Sequence, residues 1–412
     1  MSSQEFSPHA QALHRSRLWL YIFAGLCASL DSIGLARFAF TPLLPELIQA
    51  HWFTPSSAVY LGAANLLGYL CGALAARTLA THMPKEYALR LMMVLITAAF
   101  FGCAFPLSFA WYFGWRFISG IAGGVVMVLV TATVLPHVPP ARKGMASGAV
   151  FLGLGLGIAC SGTLIPLLLG AGLAQTWMGL GVLSAVLTLA SWFAWPAPVG
   201  GPAARIGTQV PHDMRFGREV WLLYVQYAMM AMAAVPPMVF LVDFIARGLG
   251  WGTRQGSLFW AIYGLGAIAG PPLYGLLADR LGAKTTIRLV SVVIGGCLAA
   301  MATVHDVFWL GVLTAVIGTF APGTVPLALA RVHEIVEHHA PQNLAWMRAS
   351  IIGASALAAG AYASSALFNA TGGNHQLLFL TSAGLLVLTL LCTWLGTSSG
   401  RSRKGAARAT AA

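Results

Sequence analysis

Charge is scarce in this sequence, and negative charge is scarcest. Of 412 residues only 8% are charged, with 11 Asp and Glu against 23 Lys and Arg. A soluble domain carries about a quarter charged residues to cover its surface, so a water-facing globule is excluded. The apolar stretches hold no paired histidines, no acidic cluster and no Gly-x-Ser-x-Gly elbow. That argues against a membrane enzyme and against a resident metal, and no cofactor is expected. The six cysteines (Cys27, Cys71, Cys103, Cys160, Cys297, Cys392) never stand at metal-ligand spacing and read as small packing residues. His338 and His339 are adjacent but have no further ligand-type residues close by. No soluble domain that would relay a signal is seen, which disfavours a sensor.

Apolar residues are plentiful, at 58% of the chain. They fall into twelve stretches, each near the roughly 20 residues that cross a bilayer as a helix: 18–40, 57–79, 88–109, 113–135, 146–169, 173–193, 221–245, 258–277, 287–303, 308–329, 344–368 and 377–395. The fold class expected is an all-α integral membrane protein. The first stretch is too long for a cleaved signal, and it contains Asp31 and Arg37. Residues 196–219 contain Pro198, Gly200, Gly201, Pro202 and Pro211 and read as a flexible linker. The expected organisation is a tail at 1–17, a six-helix bundle at 18–195, this linker, a second six-helix bundle at 220–396, and a basic tail at 397–412.

The net charge of +12 raises the question of nucleic acid. Its distribution answers it. With the N-terminus inside, 19 of the 23 Lys and Arg fall on the cytoplasmic side; Arg247 and Arg254 fall outside, and Arg37 and Arg116 lie within spans. This is the positive-inside pattern. It predicts both termini in the cytoplasm of a bacterium, a multi-pass protein of the inner membrane, lipid headgroups as partners and no nucleic-acid partner.

Six spans before the linker and six after it suit a transporter built from two repeated bundles with its site between them at mid-membrane. Small residues cluster in spans two (Gly62, Gly68, Gly72), five (Gly153, Gly155, Gly157, Gly162), eight (Gly264, Gly266, Gly270) and eleven (Gly353, Gly360). They let helices approach closely, either as static packing or between two bundles that slide. Pro236 and Pro237 predict a bend in span seven.

Between spans eight and nine stands Gly275-Leu-Leu-Ala-Asp279-Arg280-Leu-Gly282-Ala-Lys284. It resembles the G-x-x-x-D-R-x-G-x-K loop of the major facilitator superfamily. The matching place in the first half, Gly72 to Arg77, lacks the Asp. Arg116 to Gly124 in span four is similar to the superfamily's R-x-x-x-G pattern. Span five only partly resembles the antiporter motif, because its proline is missing. Arg37 to Pro45, Ala64 to Tyr69 and Gly153 to Gly162 together resemble the bacterial YbfB/YjiJ-type branch, whose members are mostly of unassigned substrate. The resemblance implies the major facilitator fold with its twelve helices in two bundles. It also implies that Gly275, Asp279, Arg280, Gly282 and Lys284 belong to an inward gate, with Asp279 near the start of span five around 144–146 and Arg331 as a second partner.

An ionisable group at mid-membrane costs several kcal/mol and is a functional candidate for that reason. Asp31 is the one carboxylate placed at the bilayer centre. It reads as a proton-coupling or substrate residue, or as a structural Asp bonded to Ser29 or Ser32. Arg37, six residues on, would stand about 9 Å along a regular helix and about 120° round it. Near the outer end of its span, it would either bind an anionic substrate or snorkel to headgroups. Family members that pair a first-helix carboxylate with a fourth-helix arginine use them in proton coupling, and this implies an interplay of Asp31 with Arg116; a permanent structural ion pair is the other reading. Asn65, Gln226, Tyr227, Tyr263 and Tyr362 are further candidates for lining a substrate cavity, whereas Asp243 reads as an interfacial charge. The expected function is alternating-access secondary transport of a small organic solute, with an organic anion as a candidate cargo, by a monomer, coupled to protons, with drug or toxic-metabolite efflux as the alternative.

Overall fold

The computed structural model describes residues 8–139, 142–196, 216–336 and 339–409. Most of the expected linker, 197–215, lies outside the described residues. Twelve helical segments are long and apolar enough to cross a membrane, and the described residues contain no strand. Their outer surface is apolar: Leu189, Phe193, Leu265, Leu276, Val292, Phe308 and Leu391 are all exposed. In water such a coat would be a large aggregation-prone patch; in lipid it is the solvated face.

The helices are α1 (Pro8–Ser29), α2 (Phe40–Gln49), α3 (Pro55–His82), α4 (Lys85–Cys103), α5 (Phe109–Val134), α6 (Lys143–Leu169) and α7 (Leu173–Ser191) in the first half. The second half holds α8 (Arg218–Asp243), α9 (Gly252–Leu281), α10 (Ala283–Met301), α11 (Val307–Gly318), α12 (Phe320–Ile335), α13 (His339–Ala370) and α14 (His375–Ala409). Helix extends beyond the expected tail boundaries, from Pro8 and as far as Ala409. An even number of crossings puts both ends of the chain on one side, called here the terminal side.

Span one is not the single helix of 18–40 that its hydropathy suggests. It runs over Arg17–Gln49 and is broken in the middle. After α1 the chain widens into a π-turn, Leu30–Leu35, where the Ala36 amide donates to the Asp31 carbonyl at 3.0 Å. Residues 36–39 form a turn before α2 begins. Pro42 explains the break, because it has no amide to offer the Phe38 carbonyl four residues earlier. Span ten breaks at Thr319 between α11 and α12 for the same reason, with Pro322 unable to serve Gly318. Span seven behaves differently. Helix α8 runs unbroken through Pro236 and Pro237, and a π-turn follows at Phe244–Gly248.

Spans five and eight pack against each other across the two halves, as do spans two and eleven. A Cβ on Gly155 would meet Ile268 at 2.5 Å, one on Gly162 would meet the Ala261 amide at 2.5 Å, and one on Gly264 would meet the Ala159 amide at 2.4 Å. Gly155, Gly162 and Gly264 therefore lie at the interface between halves, whereas Gly153 and Gly157 pack on span one and Gly266 and Gly270 on span ten; close approach is what requires them all.

The halves meet on the side away from the termini. Four side-chain hydrogen bonds join them there. Thr41 donates to the Met238 carbonyl (2.8 Å), Trp260 to Ser161 (3.0 Å), Ser365 to the Val59 carbonyl (3.3 Å) and Asn369 to the Ser56 carbonyl (3.1 Å). Toward the terminal side the same helices part: a Cβ on Gly148 of α6 or on Gly275 of α9 would touch nothing within 4 Å. The conformation is closed on the far side and loosened on the terminal side.

Candidate functional site

The break in span one organises the centre of the molecule. It moves Arg37 from the expected outer end of a helix to the middle of a 33-residue span, so the snorkelling reading fails on distance. The Arg37 guanidinium lies 4.2 Å from the centroid of the Tyr69 ring on α3, with Phe38 at 6.0 Å. Its buried Nε has no hydrogen-bond partner. Tyr69 in turn lies within electrostatic range of Tyr227 on α8, in the other half. Phe38, next in the turn, faces Trp260 on α9 at 6.0 Å between ring centres, and Trp260 stacks on Tyr263 at 4.8 Å. One four-residue turn thus presents a cation to Tyr69 and a ring to the Trp260–Tyr263 stack, where the halves meet.

Arg116 lies on α5, buried, within electrostatic range of Arg37. It does not pair with Asp31. Its Nη1 donates to the Ala36 carbonyl at 2.6 Å, its Nε reaches the Leu61 carbonyl at 3.5 Å, and its guanidinium lies 4.5 Å from the Phe40 ring centroid. The turn at 36–39 exposes a carbonyl that a regular helix would have consumed, and Arg116 satisfies it. Neither Arg37 nor Arg116 has a salt bridge to a carboxylate among the described residues. Two buried cations without a counterion cost several kcal/mol, and an anion is the group that removes this cost.

Asp31 sits in the π-turn, fully buried, with no hydrogen bond to either carboxylate oxygen. Ser29 and Ser32, the expected partners, do not serve it; their hydroxyls are themselves unpaired. The Ser184 hydroxyl on α7 is the one that faces it, just outside hydrogen-bond geometry. Asp31 therefore looks into the interior of the first half, whereas Arg37 lies against Tyr69 of α3, itself within electrostatic range of Tyr227 in the second half. The estimate of their separation from a regular helix fails because the π-turn and the break intervene.

The remaining sequence candidates divide. Asn65 is buried and pins α3 to α5, donating to Ser119 Oγ (3.0 Å) and to the Arg116 carbonyl (3.3 Å). Its Oδ1 has no partner. Tyr227 and Tyr263 belong to the central group. Tyr362 does not; it meets Tyr60 at 6.1 Å, near the far-side contacts. Gln226 also lies elsewhere, lining a small cleft with Glu219, Lys284, Arg331 and Thr393 at the terminal side of the second half.

The gate residues are corrected in part. Asp279 and Arg280 are exposed, and Asp279 makes no ion pair among the described residues. Arg331 pairs not with Asp279 but with Glu334 (2.8 Å) and Glu219 (3.8 Å). Glu334 also accepts from the Ala283 amide at 2.5 Å, fastening the loop just after Gly282, whose φ of +81° only glycine adopts readily. Lys284 joins this charge cluster. The register of α6 against α9, read from the Gly155–Ile268 and Gly264–Ala159 contacts, runs on to bring Asp279 opposite residue 144. Asp243 is not an interfacial charge. It is fully buried and held by Arg247 (2.5 and 2.7 Å) and by His375 of α14 (2.7 Å).

Sequence reasoning missed Tyr69 as a site residue, although it ends one of the segments that carry the family resemblance. It also missed His375 and the hydroxyls around Asp31. Lone Ser, Thr and His residues in apolar helices carry no spacing signal.

Comparison with known proteins agrees with this architecture. The chain is 28% identical over 306 residues to a probable transporter of Streptomyces coelicolor, covering 72% of this chain and 67% of that one. It is 24% identical over 285 residues to a chloramphenicol resistance protein of Streptomyces lividans, covering 64% and 68%. A 4-hydroxybenzoate transporter of Pseudomonas aeruginosa is 27% identical over 169 residues, covering 39% and 36%. The fold matches a bacterial homologue of the human lysosomal transporter Spinster at 14% identity, with a TM-score of 0.73 over 92% of this chain and 96% of the other. The family model described as an uncharacterised MFS-type transporter, YbfB, matches residues 29–393. Twelve crossings, a broken first span and this match over most of the chain make the protein a member of the YbfB-type family of major facilitator transporters.

Proposed function

We propose that this transporter moves a small organic anion by proton-coupled alternating access, with Arg37 receiving the anion and Asp31 the proton. The observation that carries this reading is Arg37 itself, a mid-membrane cation with an unpaired Nε and no carboxylate partner among the described residues. A charged side chain is retained at such a cost where it handles charge. Asp31 complements it as the buried carboxylate able to carry one proton. The two stand on one broken span, so a movement of residues 30–39 is felt by both.

The protein works as a monomer in the inner membrane of a bacterium, with both termini in the cytoplasm and lipid headgroups around its basic loops. With that orientation the far side is the outside, and the conformation is closed outward. Asp279 and its loop engage α6 when the terminal side shuts. Among the described residues Asp279 has no ion pair, and this accompanies the loosened terminal side, which supports a gate that makes and breaks. The 4-hydroxybenzoate transporter among the relatives supports an anionic cargo. The chloramphenicol resistance protein favours a second reading, efflux of lipophilic compounds past the Trp260–Tyr263 stack.

The test is flux in proteoliposomes with and without a pH gradient, using 4-hydroxybenzoate and chloramphenicol as probes, for wild type and Asp31→Asn. Gradient-driven accumulation of the benzoate that the variant loses is the expected result. Full accumulation by the variant would remove Asp31 from the coupling, and movement of chloramphenicol alone would favour efflux.

A further inference from the structure

We propose that Ser184, Thr97 and Thr188 form a proton relay that links Asp31 to the terminal side through the interior of the first half, apart from the route taken by the solute. The inference deepens the proton-coupled reading above and rests on it.

The hydroxyls are arranged for each other. Thr97 of α4 lies 2.7 Å from Ser184 Oγ and 3.4 Å from Thr188 Oγ1, both on α7. Ser184 and Thr188 stand four residues apart, on one face of a helix, and Thr97 inserts between them from the neighbouring helix. Ser184 is fully buried and Thr188 nearly so.

A hydroxyl in an apolar helix ordinarily satisfies itself by bonding to a carbonyl one turn back. Thr133, Thr176, Ser291 and Thr389 of this protein do so. Thr97 does too, donating to the Met93 carbonyl at 3.0 Å, but Ser184 and Thr188 do not. Their side-chain hydrogen bonds go only to Thr97. Thr97 is thus the shared partner through which a proton can pass from one to the other.

Either oxygen of each pair can be the donor once the Thr97 hydroxyl turns from the Met93 carbonyl, and a relay needs that freedom. With Asp31 protonated and turned to Ser184, its O–H donates to Ser184, Ser184 donates to Thr97, and Thr97, turned from Met93, donates to Thr188. With Asp31 ionised, every bond reverses. In one transfer each hydroxyl accepts one proton and releases one, so one proton moves, and the reversed hydroxyls turn back before the next. The carboxylate oxygens, unpaired in this conformation, are the acceptor at one end. At the other end Ser191 follows Thr188 by three residues, about 4.5 Å further along α7 toward the terminal side. Cys27 is the titratable side chain within electrostatic range of Asp31, and it lies off this line on α1. The anion route, by contrast, starts at Arg37, which lies against Tyr69 of α3 and not against α4 or α7.

The test follows Asp31 itself and needs no solute. Full-length protein in lipid is subjected to a pH jump, and the carboxyl C=O infrared band that vanishes in Asp31→Asn is followed in time. We expect Thr97→Val and Ser184→Ala to slow protonation of Asp31 at least tenfold. Thr97→Ser, which keeps the hydroxyl, should restore the wild-type rate, and Thr133→Val, a back-bonded control, should leave it unchanged. Rates within twofold of wild type in both relay variants would overturn the relay and leave the coupling role of Asp31 standing. If no Asp31 band responded to pH in the wild type, the proton-coupled reading would fall together with the relay.

Discussion

Arg116 donates to the carbonyl of Ala36 at 2.6 Å. The same Ala36 donates its amide to the carbonyl of Asp31 and precedes Arg37 in the chain. One residue of the broken span is thus tied to the backbone of Asp31 on one side and to that of Arg37 on the other. Arg116 acts on both through backbone, as a positioning residue, and no ion pair with Asp31 is needed for it to matter.

That geometry gives Arg116→Lys a definite outcome. Lysine supplies a point charge in place of the planar fork that reaches both Ala36 and Leu61. Loss of one charge-assisted hydrogen bond to a buried carbonyl costs about 1.5–3 kcal/mol. The melting temperature in detergent should fall, and a native-state ligand should regain only part of it. Unchanged stability would show that the Ala36 carbonyl needs no partner.

Arg37 is expected to act on binding instead. Arg37→Ala removes an unpaired buried charge, so the empty protein should be as stable as wild type or more so. Binding of an anion that stabilises the wild type in a thermal-shift screen should weaken by roughly 10- to 100-fold, the range of a charged hydrogen bond. A large stability loss with anion binding intact would assign Arg37 to structure.

Far-side closure can be trapped. Ser56 and Asn369 meet across the halves. In a background lacking the six native cysteines, Ser56→Cys with Asn369→Cys should react with a short bifunctional thiol reagent. Cross-linked protein should lose transport and regain it on cleavage of the linker. Transport at the wild-type rate while linked would mean that this contact does not open during the cycle.

The Asp243–Arg247–His375 group is expected to hold α8 to α14. A buried hydrogen bond to a charged group contributes about 1.5–3 kcal/mol. His375→Ala should therefore lower the melting temperature while leaving the affinity for solute unchanged. A stable variant would place the group outside the folding core.

The sequence by itself determined the twelve crossings, because a bilayer sets a length and a polarity that hydropathy measures directly. It determined the family, because the loop Gly275–Lys284 and the glycines of spans two, five, eight and eleven are local patterns with a fixed spacing. It singled out Asp31, Arg37 and Arg116, since any charge in an apolar stretch stands out. What each of them touches was decided by tertiary structure. Hydropathy averages over a window and does not register that Pro42 breaks a helix at Phe38, so it set Arg37 at an end and not at the centre. Contacts such as Arg116 with Ala36, or Thr97 with Ser184, join residues 80 and 87 positions apart. Only the packing of helices creates those contacts, and only they separate a cation set against Tyr69 of α3 from a carboxylate set toward Ser184 of α7.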